Sequence, residues 1–149
     1  MESIHQGVGA LITNTNCTRF LVQIKDETYP FEEWRGACAY WGGAIEPSDA
    51  NELEAVEREL VEEIPAAAAA LQTTPKTPID RYWIDTAKNP FWLTTFVIAV
   101  EDTVLDTLSQ APVLEGNSLL ISKDDLLKRK WIWNIDFTFH DFLQRQVSQ

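Results

Sequence analysis

Apolar and polar positions divide the chain into segments of two kinds. Short apolar runs rich in β-branched and aromatic residues read as strands: Gly7 to Ile12, Phe20 to Ile24, Trp34 to Trp41, Arg81 to Asp85, Phe91 to Val100 and Leu119 to Ser122. The turn-prone Asn14-Thr15-Asn16 makes a hairpin of the first two, and Gly42-Gly43 ends the third. Thr94 to Val100 is apolar enough to be central in a sheet. Helical spacing is clearest from Asn51 to Ile64, where Leu53, Val56, Leu60 and Ile64 make one apolar stripe. Asn51 is a good N-cap with Glu54 three residues on, and Pro65 ends the helix. Ala66 to Ala70 suits a short helix. Ser122 caps another that runs through Leu127, and a last helix runs from about Asp136 to Gln146. The order β-β-β-α-β-β-β-α-α lacks the strict alternation of a doubly wound fold. It predicts a mixed α+β or α/β sandwich with the Asn51 helix packed on a sheet.

Composition bounds this picture. A chain of 149 residues is one domain's worth, and 45% hydrophobic with 11% aromatic residues can fill a core. Six Trp and seven Phe exclude general disorder. No apolar run approaches the roughly 20 residues of a membrane span, so no membrane partner is expected. MESIHQGVGA lacks the basic start and apolar stretch of a signal peptide, which makes the cytoplasm the expected compartment. Cys17 and Cys38 show no CxxC spacing and read as buried free thiols. The charge says more: 12 basic residues stand against 23 acidic, a net of −11. Such a surface repels polyanions, so no nucleic-acid polymer is expected as a partner.

The acids are unevenly spread. Between Glu46 and Glu63 there are eight, against one base, Arg58. Glu59, Glu62 and Glu63, at i, i+3 and i+4, project from adjacent turns of one helix face. Like charges so placed cost about 0.2–0.5 kcal/mol per pair, and a divalent cation reverses that sign. Mg²⁺ takes hard oxygen ligands, few of them carboxylates, with phosphates and water completing the octahedron. Helix spacing alone leaves both a solvated acidic face and a metal site open. Gly42-Gly43, just upstream, lets the backbone come close to a ligand or metal.

In order, the stretch is Gly42-Gly43-Ala44-Ile45-Glu46, a loop, the capped helix with Ala55, then Arg58-Glu59-Leu60-Val61-Glu62-Glu63. It resembles the Nudix box, G-x5-E-x7-R-E-U-x-E-E-x-G-U with U aliphatic. Arg58 to Glu63 match the R-E-U-x-E-E core at every position. The loop is one residue longer than the pattern, so its first Glu falls on Ala50, or on Asp49 if the loop carries an insertion. Pro65 stands where the pattern has Gly. The resemblance implies one Nudix-like domain over residues 1–149, an α/β/α sandwich with a mixed central sheet. It implies a hydrolase that uses Mg²⁺ or Mn²⁺ to cleave a diphosphate linkage in a nucleoside diphosphate linked to another moiety. Glu59, Glu62 and Glu63 are then the metal ligands, with the Gly43 carbonyl nearby. Arg58 orients a loop carboxylate, Glu46 or Asp49. Members often dimerise, so a homodimer is an expectation.

Outside the box, Glu115 in Leu114-Glu115-Gly116 is the candidate for a further catalytic acid, with an exposed loop acid as the alternative. Arg35, Trp41, Trp83 and Asn134 are candidate substrate contacts. Arg35 suits a phosphate, Trp41 and Trp83 a stacked base, and Asn134 a base edge. Core packing is the competing account of the aromatics. Lys128-Arg129-Lys130 has a sufficient explanation at a helix C-terminus. His5 and His140 suggest no triad, and no P-loop or Rossmann phosphate loop is present. Two other functions compete. One is a Nudix-like nucleotide-binding or regulatory domain with little or no turnover. The other is a structural protein with an acidic patch.

Overall fold

A computed structural model describes residues 5–86 and 88–147. Its strands are β1 (His5–Asn14), β2 (Arg19–Ile24), β3 (Cys38–Ala39), β4 (Trp41–Ala44), β5 (Thr77–Ile84), β6 (Phe91–Val100) and β7 (Asn117–Ser122). Its helices are α1 (Glu52–Glu63), α2 (Pro65–Leu71), α3 (Asp102–Ser109), α4 (Lys123–Leu126) and α5 (Asp136–Val147), with 3-10 turns at Glu32–Trp34 and Ile132–Asn134. The described strands form one mixed sheet in the order β3-β2-β1-β6-β5, with β4 paired to β1 and β7 to β2. β1 runs parallel to β6 and antiparallel to β2 and β4.

Alternation in β1 splits the core in two. Val8, Ala10 and Ile12 pack with Val56, Leu60 and Ile64 of α1, Ala67 and Leu71 of α2, and Leu105 and Leu108 of α3. Leu11 points the other way, toward Leu126 of α4 and Phe139 and Phe142 of α5. β6 repeats the split, with Phe96, Ile98 and Val100 on the α1 side and Phe91 and Leu93 on the α5 side. The sheet is therefore covered by helices on both faces, the sandwich that the order of elements implied.

Several expectations need correction. The third strand does not begin at Trp34: that residue lies in a 3-10 turn, and pairing starts at Cys38. Gly42-Gly43 does not end a strand but lies inside β4, opposite Gly9 and Val8 of β1. Leu53 leaves the apolar stripe and is 41% exposed, while Ala55 takes an inward place. Cys38 is buried but Cys17 only partly so, at a left-handed turn residue (φ 56°). α3 is absent from the pattern reading, because its short run, Asp102–Ser109, follows β6 directly.

Candidate active site

α1 is held at both ends. The Asn51 side chain accepts the Glu54 N–H at 2.8 Å, and the Ile64 N–H donates to the Leu60 carbonyl at 2.8 Å. Pro65 has no N–H to extend the ladder and opens α2 at once, its fixed φ suiting a first helical turn. α1 therefore lies against β4 with Glu59 and Glu63 turned toward the paired glycines.

Glu59 rests on Gly43: a Cβ built there would meet its Oε1 at 2.6 Å. Glycine at 43 is thus the space that the carboxylate occupies. Glu63 is 4% exposed. Its Oε1 accepts the Gly42 N–H at 2.7 Å and its Oε2 accepts from Gln23 Nε2 at 2.6 Å. Burial pushes its carboxyl up to about 7, against the pull of those donors. Burial also raises Glu59, opposed by Arg58. Glu62 is exposed and touches Arg58 Nη1 at 3.2 Å.

Arg58 organises the loop before the helix. Its Nε and Nη2 fork onto the two carboxylate oxygens of Asp49, each at 3.0 Å. Nη2 also donates to the Ala44 carbonyl at 3.0 Å, and Nη1 reaches Glu59 at 3.1 Å as well as Glu62. All of the guanidinium's donors are thereby used. Asp49 is the loop carboxylate in the fork, and Glu46 stands off at 3.5 Å from Nη1. Hydrogen bonds from Arg58 hold Asp49 below the usual carboxylate range and raise the guanidinium.

Residues from other elements complete the floor. Gln23, on β2, also donates to the Glu115 carbonyl at 3.2 Å and accepts from Lys25 Nζ at 2.6 Å. The Leu114 N–H donates to the Glu63 carbonyl at 3.0 Å. The backbone at Glu115 thus lies beside the acidic face, and its side chain is exposed. Gln23 and Lys25 carried no role in the sequence reading. The available signal was an amide inside the apolar run Phe20-Leu21-Val22-Gln23-Ile24.

Neither tryptophan among the substrate candidates offers a ring to this face. Trp41 is wholly buried and gives its indole N–H to the Leu21 carbonyl at 2.9 Å, so no ring face is left to stack on a ligand. Trp83 lies on β5, three strands from β4, edge-on to Trp92. Three strand spacings are about 14 Å. Arg35 is exposed beyond the first 3-10 turn and donates to the Tyr29 carbonyl at 2.8 Å. Asn134 is exposed, with φ 55°, ahead of α5. His140 is exposed on α5, and the His5 side chain lies outside the described residues.

A hard, oxygen-only donor set suits Mg²⁺ or Mn²⁺. Arg58 Nη1 already places a positive charge between Glu59 and Glu62, where a divalent ion would compete for the same oxygens. Among the described residues no three acid, His or Cys side chains converge as a ready cage. Mg²⁺ fits that arrangement, since it completes its shell with waters and phosphates.

A family model described as "NUDIX domain" matches residues 3–140. The chain belongs to the Nudix family. Solved structures with this fold include a mutT/nudix family protein from Listeria innocua, with TM-score 0.75, 15% identity, and 99% of this chain and 97% of that one covered. The MutT protein from Methanosarcina mazei Go1 follows at TM-score 0.66 and 20% identity, covering 99% and 96%. The Nudix domain of Shewanella oneidensis NrtR, in a cocrystal with ADP ribose, matches at TM-score 0.70 and 14% identity, covering 97% and 90%. No curated protein matches the chain. Nudix proteins bind nucleotide-type small molecules, and Nudix hydrolases generally use divalent metals. No helix among the described residues is long and apolar enough to cross a membrane.

Proposed function

We propose that this chain is a Mg²⁺- or Mn²⁺-dependent hydrolase. It cleaves the diphosphate linkage of a nucleoside diphosphate joined to another moiety. The observation that carries this reading is the seating of the Arg58–Glu63 segment: Glu59 on Gly43, Glu63 on the Gly42 N–H, and Arg58 locked on Asp49. Glu59, Glu62, Glu63 and the Gly43 carbonyl would hold the ion, which would offset diphosphate charge and lower the pKa of an attacking water. Water attacks one phosphorus, the bridging P–O bond breaks, and Glu115 takes the water's proton from the loop beside Gln23. Arg58 shapes the loop through Asp49. Arg35 serves the phosphates and Asn134 the base.

A second reading is a nucleotide-binding or regulatory domain with little turnover. What favours it is the loop: the residue nearest the pattern's first Glu is Asp49, and both its oxygens are taken by Arg58. The test is product release from nucleoside triphosphates, dinucleoside polyphosphates and nucleotide sugars, with Mg²⁺ and with Mn²⁺. Metal-dependent turnover that falls on the order of 100-fold or more in Glu62→Gln supports the hydrolase. Nucleotide binding by calorimetry without turnover in the wild type supports the second reading and sinks the first.

A further inference from the structure

β2 places Leu21 and Gln23 in one row, Lys25 follows just beyond the strand's end, and Leu21 packs in the core beneath α1. The row therefore puts a wholly buried amide where an apolar side chain belongs. Each polar atom of that amide is taken. Nε2 donates to Glu63 Oε2 at 2.6 Å and to the Glu115 carbonyl at 3.2 Å, and Oε1 accepts from Lys25 Nζ at 2.6 Å. Lysine has only donors, while the carboxylate and the carbonyl have only acceptors. A flipped amide would set nitrogen against nitrogen and oxygen against two oxygens. Lys25 thus fixes which way Gln23 faces, and Gln23 fixes Glu63.

We propose that Gln23 is a positioning residue for the metal-binding face, with Lys25 setting its orientation. This rests on the hydrolase reading above, in which Glu63 is a ligand. The Gly42 N–H and Gln23 engage one oxygen each of Glu63 and leave the remaining lone pairs for an ion. The same amide ties Glu63 to the backbone of Glu115, so ligand and proton acceptor share one strut. Groups that orient a metal ligand typically change affinity 10–100-fold when removed.

The test uses the full chain and Mn²⁺ alone, with free Mn²⁺ read by electron paramagnetic resonance and no substrate present. Gln23→Met keeps length and removes every hydrogen bond. It should weaken Mn²⁺ binding by about 10-fold or more. It should also speed hydrogen exchange at the Gly42 amide. The Ile45 amide is the internal control, since it bonds the Gln6 carbonyl of β1 and not Glu63. Lys25→Met, at a partly exposed site, should move both readouts in the same direction by less. If Gln23→Met fails to fold, Lys25→Met decides. Unchanged Mn²⁺ affinity together with unchanged Gly42 exchange overturns the proposal. If the wild type binds Mn²⁺ no better than Glu59→Gln, the hydrolase reading fails instead. The Gly42 exchange then still reports whether Gln23 holds Glu63.

Discussion

Glu63 keeps its carboxyl out of water, and this makes stability depend on pH in a definite direction. Its folded pKa is raised from 4.5 to about 7 by burial. Folding therefore favours the protonated form. The stabilisation is complete below the unfolded value, declines from there to about 7, and is gone above. A shift of that size corresponds to roughly 3 kcal/mol. Burial raises Glu59 in the same direction. Asp49, held down by Arg58, works oppositely, and its contribution is lost only in acid. The metal-free melting temperature should thus fall between about pH 5 and pH 8. Saturating Mg²⁺, which stabilises the anion, should flatten that slope; a metal-free melting temperature that rises over the range refutes the assignment. The two glycines beneath the acids differ as sharply. At Gly43 a Cβ meets the mobile end of Glu59, so Gly43→Ala should cost less than about 1 kcal/mol of stability yet weaken Mn²⁺ binding. At Gly42 a Cβ would lie 2.0 Å from the Val8 carbonyl oxygen and 2.9 Å from Gly9 Cα, both in the β1 backbone. Gly42→Ala should part β4 from β1 at a cost of about 3 kcal/mol or more. Urea melts and Mn²⁺ titrations of both variants separate the two effects.

At the scale of elements, what was legible in the sequence depended on whether local chemistry decided it. α1 was legible because Asn51, Glu54 and Pro65 fix its ends without help from the rest of the chain. β6 was legible at its full length because the run Phe91–Val100 is apolar enough for a strand buried between β1 and β5. The stretch from Trp34 to Trp41 misled, because Trp34 meets the α5-side core from a turn while Cys38 and Ala39 meet it from a strand. Gly42-Gly43 read as a breaker, but pairing to β1 overrides weak local propensity. Arg58 joins the element scale to the site. It fastens α1 to the loop before it by a fork that lysine cannot reproduce. Arg58→Lys keeps the charge but loses the paired contacts to Asp49. It should lower stability by about 1–2 kcal/mol and turnover with it. Unfolding measured beside the activity of the same variant checks both; full turnover with lysine would show that charge alone suffices.

For the whole molecule, the acidic composition and the acidic site must be told apart. The net charge of −11 does not locate a ligand, and any added cation relieves part of its self-repulsion. The motif placed Glu59, Glu62 and Glu63 on one face, but Gln23 on β2 and Lys25 just after it lie some forty residues earlier and only folding brings them near. Candidate substrate contacts stayed illegible for the same reason: whether residues on separate loops and strands meet depends on the whole fold. These considerations set the decisive thermal experiment. Screening of diffuse charge raises the melting temperature in wild type and Glu62→Gln alike, and NaCl at equal ionic strength reproduces it. Binding at the site stabilises the wild type alone. At a hundredfold excess over Kd it adds about 2.7 kcal/mol, which for a chain of this length is roughly 5–10 °C. Glu62 is 56% exposed and contacts only Arg58 among the site's charges, so its replacement leaves the core untouched. A Mg²⁺-specific shift in the wild type that vanishes in Glu62→Gln therefore reports the site itself. An equal shift in both proteins, matched by NaCl, would reduce the acidic helix to a solvated surface.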